Sequence, residues 1–454
     1  MASIRTQATR ALALGSLFSL ALLNAQSGGR AYATGEAWWN AGFGGVLPWD
    51  ENYDNPDGQV SIKNRSGAIR TKDHAFFDPL GTNGRACVTC HQPASAMGLA
   101  AATTRQRWVD SKGNDPVFAA FDGSNCPSLP QTEAASHSLT IEHGLFRIPL
   151  PWPPKDNPHP EFKIEVVRDP TGCNSSLVYG LHSPIPSISV YRRPRVVANL
   201  DTLLKGPGSS GPVFMADGRE PSLESQANNA ALGHEQSAHP PTPQQLKQIV
   251  EFEMQIYAAQ NSDIRAGLFK ETGLGVENLA QGKAPSLSTI AVSFEPWRNS
   301  PPQMAPVQSD FRASVVRGSE VFFGRTFPIE GVTGAPAHSG TCATCHNSGT
   351  TRWMDIGTTT QRSAEHLPLF KITCAATQRI IYSQDPGRAL ISGKCEDVGA
   401  IVVQQFRGLA GRAPYFANGT AQNLEAVVDF YDKRFGIRFT TPQKRDLANF
   451  LRAL

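Results

Sequence analysis

Apolar residues recur at helical spacing in two segments near the C-terminus. Asn423 is a suitable N-cap, and the apolar residues after it follow the i, i+3, i+4, i+7 spacing of one helix face: Leu424, Val427, Val428 and Tyr431. Thr441-Pro442 is typical of a helix start and predicts a last helix that buries Leu447, Phe450, Leu451 and Leu454. The chain is therefore expected to end in two amphipathic helices.

A third helix is predicted in the middle of the chain. Thr242-Pro243-Gln244-Gln245 is a capping box with proline at the first helical position. The helix is expected to run to about Gln260, with one apolar face formed by Leu246, Ile249 and Val250.

Loops are expected to fill much of the remaining chain, which contains 40 glycines and 34 prolines. Residues 162–167 alternate between apolar and polar side chains, a pattern that suits a short hairpin strand. This strand lies in a loop-rich insertion at about residues 110–200. A second proline-rich stretch near residues 284–307 is typical of a linker between domains.

Residues 1–33 have the composition of a secretory signal peptide. Arg5 and Arg10 precede an apolar run over residues 11–23, and Ala31-Tyr32-Ala33 is a suitable cleavage site. The run is too short for a transmembrane helix, although an uncleaved N-terminal anchor is the alternative. The segment holds three arginines and no acidic residue, so 39 basic and 39 acidic residues remain after cleavage. Such a neutral chain gives no argument for nucleic-acid binding, and no membrane span is expected after cleavage.

Two copies of one five-residue motif carry the clearest chemistry. Cys87-Val88-Thr89-Cys90-His91 and Cys342-Ala343-Thr344-Cys345-His346 both match Cys-x-x-Cys-His, the attachment sequence of c-type haem. The two thiols bond to the porphyrin, and the adjacent histidine becomes an axial ligand of the iron. A single copy could arise by chance or form half of a zinc site. Two copies behind an export signal predict two covalently bound haems.

Four further cysteines are expected to form disulfides in an oxidising compartment. These cysteines are Cys126, Cys173, Cys374 and Cys395. Four cysteines can pair in three ways. We favour Cys126–Cys173 and Cys374–Cys395, because each pair then stays within one haem domain. A structural role is expected for both.

The sixth ligand of each iron decides whether the haem carries electrons or binds a small oxidant. His234 lies just before the Thr242 helix and is a candidate distal ligand or acid–base group, with Glu235 as proton carrier. A solvated loop histidine beside a solvated glutamate is the alternative. At the second haem the candidates are Tyr431, Met354, His338 and His366. Tyr431 and Met354 also suit ordinary core positions, so spacing leaves the choice open.

Several segments outside the haem motifs add a family resemblance. They are Phe76-Phe77-Asp78-Pro79, Asp217-Gly218-Arg219 with Gln226-Ala227, Gly318-Ser319-Glu320-Val321-Phe322, Asp355-Ile356-Gly357, and Ala413-Pro414-Tyr415-Phe416-Ala417-Asn418-Gly419 with Leu424-Glu425. Scattered over most of residues 74–454, they resemble the dihaem cytochrome c peroxidase/MauG superfamily. The combination is specific to the superfamily and not to one substrate.

The resemblance implies roles for individual residues. Tyr431 falls where peroxidase members place an axial methionine and MauG-like members a tyrosine. Glu235 falls near the catalytic distal glutamate of the family. Ala417 replaces a usual histidine, and Ala216 stands where the family has a tryptophan between the haems. The resemblance therefore does not identify the residue that relays electrons between the haems. Trp108, Trp152 and Trp353 are the candidates to replace the missing tryptophan.

The expected fold is mainly α. It comprises two cytochrome c-like helical haem domains with long Pro/Gly-rich loops and a short β-hairpin insertion. The first haem domain is predicted over residues 34–284 and the second over 308–454, joined by a linker at 285–307.

The expected function is that of a periplasmic dihaem c-type oxidoreductase of the peroxidase or MauG-like type. Hydrogen peroxide or dioxygen is expected to react at one haem, with electron transfer through the other. A small cytochrome or a cupredoxin is the expected redox partner. One alternative is an oxygenase that acts on an organic substrate and resembles the dihaem rubber oxygenases. The other is a non-catalytic electron carrier in which protein ligands saturate both irons.

Overall fold

We analysed a computed structural model of the chain. It describes residues 38–204, 214–283, 290, 292–299, 301, 303–332, 336–346, 353–354 and 364–454. The predicted signal peptide at residues 1–33 lies outside the described residues. Within them, no helix is both long and apolar enough to cross a membrane.

The helices lie mainly in the middle and at the C-terminal end of the described chain. They are α1 (Ala101–Ser111), α2 (Ser138–His143), α3 (Leu200–Leu204), α4 (Leu223–Gly233), α5 (Pro243–Glu253), α6 (Val276–Ala280), α7 (Pro306–Gly324), α8 (Cys342–Cys345), α9 (Ala389–Ser392), α10 (Leu424–Phe435) and α11 (Thr441–Arg452).

The strands are short and are distributed along the whole described chain. They are β1 (Val46–Leu47), β2 (Asp50–Asn55), β3 (Gly58–Asn64), β4 (Ile69–Arg70), β5 (Phe146–Pro151), β6 (Phe162–Arg168), β7 (Ser187–Arg192), β8 (Ile256–Asp263), β9 (Gly267–Leu268), β10 (Phe327–Ile329), β11 (His338–Gly340), β12 (Trp353–Met354), β13 (Leu369–Cys374), β14 (Ile380–Ser383) and β15 (Ile401–Val402).

The predicted mainly α fold is wrong. Helices make up only 33% of the structure, and strands make up 19% in several sheets. Most of these strands pair with segments that are distant in sequence, so the local pattern around each strand gives little sign of its partner. The protein combines α-helices with small antiparallel sheets. The predicted division into two haem domains stays a prediction.

The largest sheet has the strand order β2-β3-β8-β9. Its first hairpin turns at Asn55, whose side chain accepts hydrogen bonds from the backbone N–H groups of Asp57 and Gly58. β8 then adds to β3 as an antiparallel neighbour. The helix that was predicted to reach Gln260 therefore ends earlier, at Glu253. The start of β8 is apolar and fully buried, and a short apolar run does not distinguish a buried strand from a helix.

The strand predicted at residues 162–167 exists, but its predicted hairpin does not. β6 pairs with β13, about two hundred residues further along the chain, and β13 pairs in turn with β14. The alternation in β6 places Phe162 and Ile164 in a core that they share with Phe370 and Ile372 of β13. The insertion is thereby tied to the C-terminal part of the protein.

The two C-terminal helices form as the sequence predicts. The Asn423 side chain accepts a hydrogen bond from the N–H of Ala426 and caps α10. Thr440 caps α11, which packs closely against α7. At this contact Gly318 is required, because a Cβ there would lie 2.0 Å from the backbone oxygen of Asp446. The same core includes Phe294 and Trp297 from the stretch that was predicted to be a linker.

Candidate functional site

The first Cys-x-x-Cys-His motif lies in a short 3-10 turn, Cys87–Thr89. The Thr89 hydroxyl accepts a hydrogen bond from the N–H of Ala86, and the carbonyl of Phe76 accepts one from the N–H of Val88. Cys87 and Cys90 are free, half-buried thiols. Burial raises the pKa of Cys87 well above its usual value and that of Cys90 to about 12.

His91 has one ring nitrogen held by the backbone. Its Nδ1 atom lies 3.4 Å from the carbonyl oxygen of Met97, which is a long hydrogen bond. Burial is the largest cause that lowers the pKa of His91 to about 4, so the imidazole is neutral at neutral pH. A neutral histidine with Nδ1–H directed to a carbonyl offers Nε2 as a metal ligand.

The second motif forms a single helical turn, α8, which Thr341 begins. The backbone N–H of Thr341 donates to the hydroxyl of Thr344 at 2.9 Å. His346 follows directly, and its ring lies 4.5 Å from the ring of Phe406. Burial lowers the pKa of His346 to about 4, and its Nδ1 atom has no hydrogen-bond partner within the described ranges.

Tyr431 is a sequence-predicted residue that contacts His346. α10 directs its hydroxyl to 3.3 Å from His346 Nε2, the ring nitrogen that a c-type haem iron would use. Burial raises the pKa of the Tyr431 hydroxyl far above its usual value. The role of Tyr431 as a ligand stays a prediction.

Both histidines line one internal cavity of about 300 Å³. Its wall includes Cys90 and His91 from the first motif and His346 from the second. Most of the other lining side chains are apolar, including Phe322 and Phe406. Two motifs separated by more than 250 positions in sequence therefore open onto the same space.

His234 lies at the C-terminal end of α4 and lines this cavity. Its Nδ1 atom is 2.6 Å from Oδ2 of the buried Asp122, whose other oxygen forms an ion pair with the buried Arg85. Burial alone would raise the pKa of Asp122, but the charges of Arg85 and His234 lower it. Asp122 therefore stays ionised and holds one tautomer and one orientation of His234. The sequence offered no sign of Asp122, which is 112 positions away from its partner.

Glu235 does not share the environment of its neighbour. Its side chain is buried behind the first haem motif, where one carboxyl oxygen accepts from the N–H of Leu80 and the other lies 3.5 Å from Cys87 Sγ. Burial raises the pKa of Glu235 to about 7. The catalytic role predicted for the pair stays a prediction, and only His234 lines the cavity.

A second buried glutamate was not singled out by the sequence. Glu253, the last residue of α5, lines the cavity with 3% of its surface exposed. Its Oε2 atom has no partner within the described chain, and burial raises its pKa to about 8. In sequence it follows an apolar helix face and resembles an ordinary solvated glutamate.

The remaining candidate ligands and electron relays lie elsewhere or are not described. His366 stacks on His143 with ring centroids 4.1 Å apart, and His338 contacts the carbonyl of Pro336. The side chains of Met354 and Trp353 lie outside the described residues. Trp108 packs on Phe118 and Trp152 on Phe162, and neither tryptophan lines the cavity. Ala216, the position of the missing tryptophan, does line it.

Both predicted disulfides are confirmed. Cys126 pairs with Cys173 at a Cα–Cα distance of 5.3 Å, and Cys374 pairs with Cys395 at 5.8 Å. The first closes the insertion on itself, and the second joins the end of β13 to the turn after α9. The four cysteines of the haem motifs are in neither disulfide.

Comparisons with known proteins give limited information. No protein-family model matches the chain, and no curated protein matches it. Among solved structures, the chain is similar to a MauG-like protein associated with microbial copper homeostasis, with 15% sequence identity and a TM-score of 0.33. The similarity covers 59% of this chain and 76% of that one. Any functional conclusion therefore rests on the residues of the chain itself.

Proposed function

We propose that the protein is an exported dihaem c-type oxidoreductase of the peroxidase or MauG-like type. The observation that carries the proposal is the single cavity onto which both Cys-x-x-Cys-His motifs open. Export to the periplasm belongs to the proposal and rests on the signal sequence at residues 1–33. The protein would take electrons from a small cytochrome or a cupredoxin.

The residues present at both motifs fit covalently bound haem. Each motif offers two cysteines that are not in a disulfide and a half-buried neutral imidazole beside a largely apolar cavity. Cys87, Cys90, Cys342 and Cys345 would hold the haems covalently, and His91 and His346 would bind their irons. A bound haem of this kind supplies one-electron chemistry and, where its sixth position is open, reduction of peroxide.

The two sites differ in the groups that face their histidines. Tyr431 approaches His346 Nε2 and is offered as a sixth ligand at the second site. His234 faces the cavity that His91 also lines. The iron at the second site would thus have protein ligands from two side chains. The first would be the one open to peroxide.

His234 is the residue best placed to move a proton. Because its Nδ1 atom is engaged by Asp122, Nε2 is the atom that can take or give a proton in the cavity. Removal of a proton from bound peroxide and its return to the leaving oxygen is general acid–base work. Glu235 is buried against Cys87, so we assign it the task of holding the first motif in place.

Covalent haem content tests the proposal first. The mature protein is expected to carry two haems by denatured mass spectrometry and by its alkaline pyridine spectrum. C90S and C345S each remove one thioether bond, and each should lower the yield of correctly attached haem at one motif only. S293A, outside both motifs, serves as the matched control. A purified protein without covalent haem would refute the proposal.

A further inference from the structure

Three arginines beside the cavity lack a carboxylate partner among the described residues. Arg193, Arg195 and Arg407 all line the cavity, and none of them forms an ion pair there. They donate hydrogen bonds to backbone carbonyls instead. The adjacent Arg192 differs from these three arginines, because it forms ion pairs with both Asp217 and Asp385.

These guanidinium groups are cations in an unfavourable environment. Burial lowers the pKa of Arg193 to about 9 and those of Arg195 and Arg407 to about 10. Arg412, buried behind Arg193, adds a further positive charge that lowers the pKa of Arg193. Asp217 favours the charge of Arg195, but this carboxylate already accepts from Arg192 and Arg219. A charge that is partly removed from water and has no counter-charge is costly, so an anion placed against this wall would be stabilised.

Two of these arginines, Arg195 and Arg407, lie near the haem-motif histidines His91 and His346. Arg195 lies in the cavity wall with His91, and its backbone acts on the pKa of that imidazole. Arg407 follows Phe406, whose ring packs on His346. The guanidinium of Arg195 also joins these two segments, because it donates to the carbonyl oxygens of Val402 and Val403. The three arginines therefore line the wall between one predicted haem site and the other.

We propose that Arg193, Arg195 and Arg407 bind the propionate carboxylates of the two haems. The inference rests on the proposed function, since each covalent haem brings two carboxylates that must be neutralised when they enter an apolar cavity. Bidentate pairing with carboxylates is the geometry to which a guanidinium group is best suited. The fixed cations would also favour electron uptake at both irons, because they offset the negative charge of the propionates.

The test measures the reduction potential of each haem in holoprotein variants R193Q, R195Q and R407Q. The proposal predicts that both haems are retained and that at least one potential falls in each variant. R298Q removes an exposed arginine that pairs with Glu295 and Glu320, and its potentials should equal those of the wild type. Potentials that are unchanged in all three cavity variants would overturn the proposal.

Further measurements distinguish the loss of charge from the loss of hydrogen bonds, and propionate binding from the binding of a free anion. R195Q removes the charge of Arg195 and also two hydrogen bonds that its guanidinium donates to backbone carbonyls. R195K keeps the charge, so its reduction potentials should equal those of the wild type. If the potential in R195K stays as low as in R195Q, the lost hydrogen bonds cause the effect and the proposed role of Arg195 is overturned. If acetate perturbs the wild-type spectrum but not that of the variants, and the potentials do not move, the wall binds a free anion and the propionate assignment is wrong. Absence of covalent haem from the wild type would refute the proposed function itself.

Discussion

At the scale of single residues, Tyr431 gives the sharpest prediction. Its hydroxyl lies 3.3 Å from His346 Nε2, so Y431F should change the absorption and EPR signals of the second haem alone. The change is expected because phenylalanine has no atom that can ligate iron. A spectrum identical to that of the wild type would remove Tyr431 as a ligand.

Y191F is the matched control for this variant. The hydroxyl of Tyr191 is buried and donates to the carbonyl of Asn125, without contact to either haem histidine. Its loss should cost about 1 kcal/mol of the free energy of unfolding and leave both haem signals unchanged. The comparison separates the loss of a buried hydroxyl from the loss of a ligand.

Local chemistry was predictable at this scale, and contacts between distant residues were not. The Asn423 cap depends on residues within one helical turn, and the two disulfide pairings followed from keeping each pair within one predicted haem domain. Asp122 belongs to no motif, and only the folded chain brings it to His234. The unpaired arginines were missed for the same reason, since a lack of partners is visible only in three dimensions.

At the scale of secondary-structure elements, the contact between α7 and α11 should tolerate no side chain at Gly318. G318A places a Cβ 2.0 Å from the backbone oxygen of Asp446, which forces the helices apart. We expect a loss of about 1–3 kcal/mol in the free energy of unfolding, measured by urea denaturation. G324A, on the same helix with no atom within 4 Å of the new Cβ, should instead be neutral or gain up to about 1 kcal/mol.

The same pair of helices should lose stability in acid through Asp446. Burial alone would raise its pKa, but hydrogen bonds from Arg317 and Ser314 lower it below the usual value. A carboxyl whose pKa is depressed in the folded state stabilises the protein above its unfolded pKa of about 4, and this stabilisation is lost as the pH falls through the folded pKa. D446N should therefore cost about 2 kcal/mol at pH 7. The difference between D446N and wild type should shrink below pH 4, and a constant difference would contradict this assignment.

Helix starts could be predicted, whereas strand partners could not. Capping residues and proline at the first turn act locally, so Thr242, Asn423 and Thr441-Pro442 marked real helices. β6 was recognised from its alternation, but nothing local to it indicates that β13 is its partner. The helix that ends at Glu253 shows the same limit, because pairing with β3 decides the structure of the residues that follow.

At the scale of the whole molecule, two buried ion pairs of one arginine join three distant segments. Arg192 of β7 is paired with Asp217 and with Asp385, and all three side chains are almost completely buried. R192Q would leave Asp385 without its cation, and we expect a loss of about 3–5 kcal/mol in the free energy of unfolding. R298Q, at an exposed pair, should leave the unfolding midpoint where it is. Equal midpoints for R192Q and wild type would show that the two pairs do not hold these segments together.

The central claim is that two unequal haems share one cavity and that one of them reacts with peroxide. The most direct test is an EPR and optical spectrum of the oxidised and the half-reduced protein, followed by addition of hydrogen peroxide. We predict one high-spin or weakly ligated haem that reacts and a second haem that keeps its ligands. Two low-spin irons in both redox states, unresponsive to peroxide, would contradict the enzyme proposal and indicate an electron carrier.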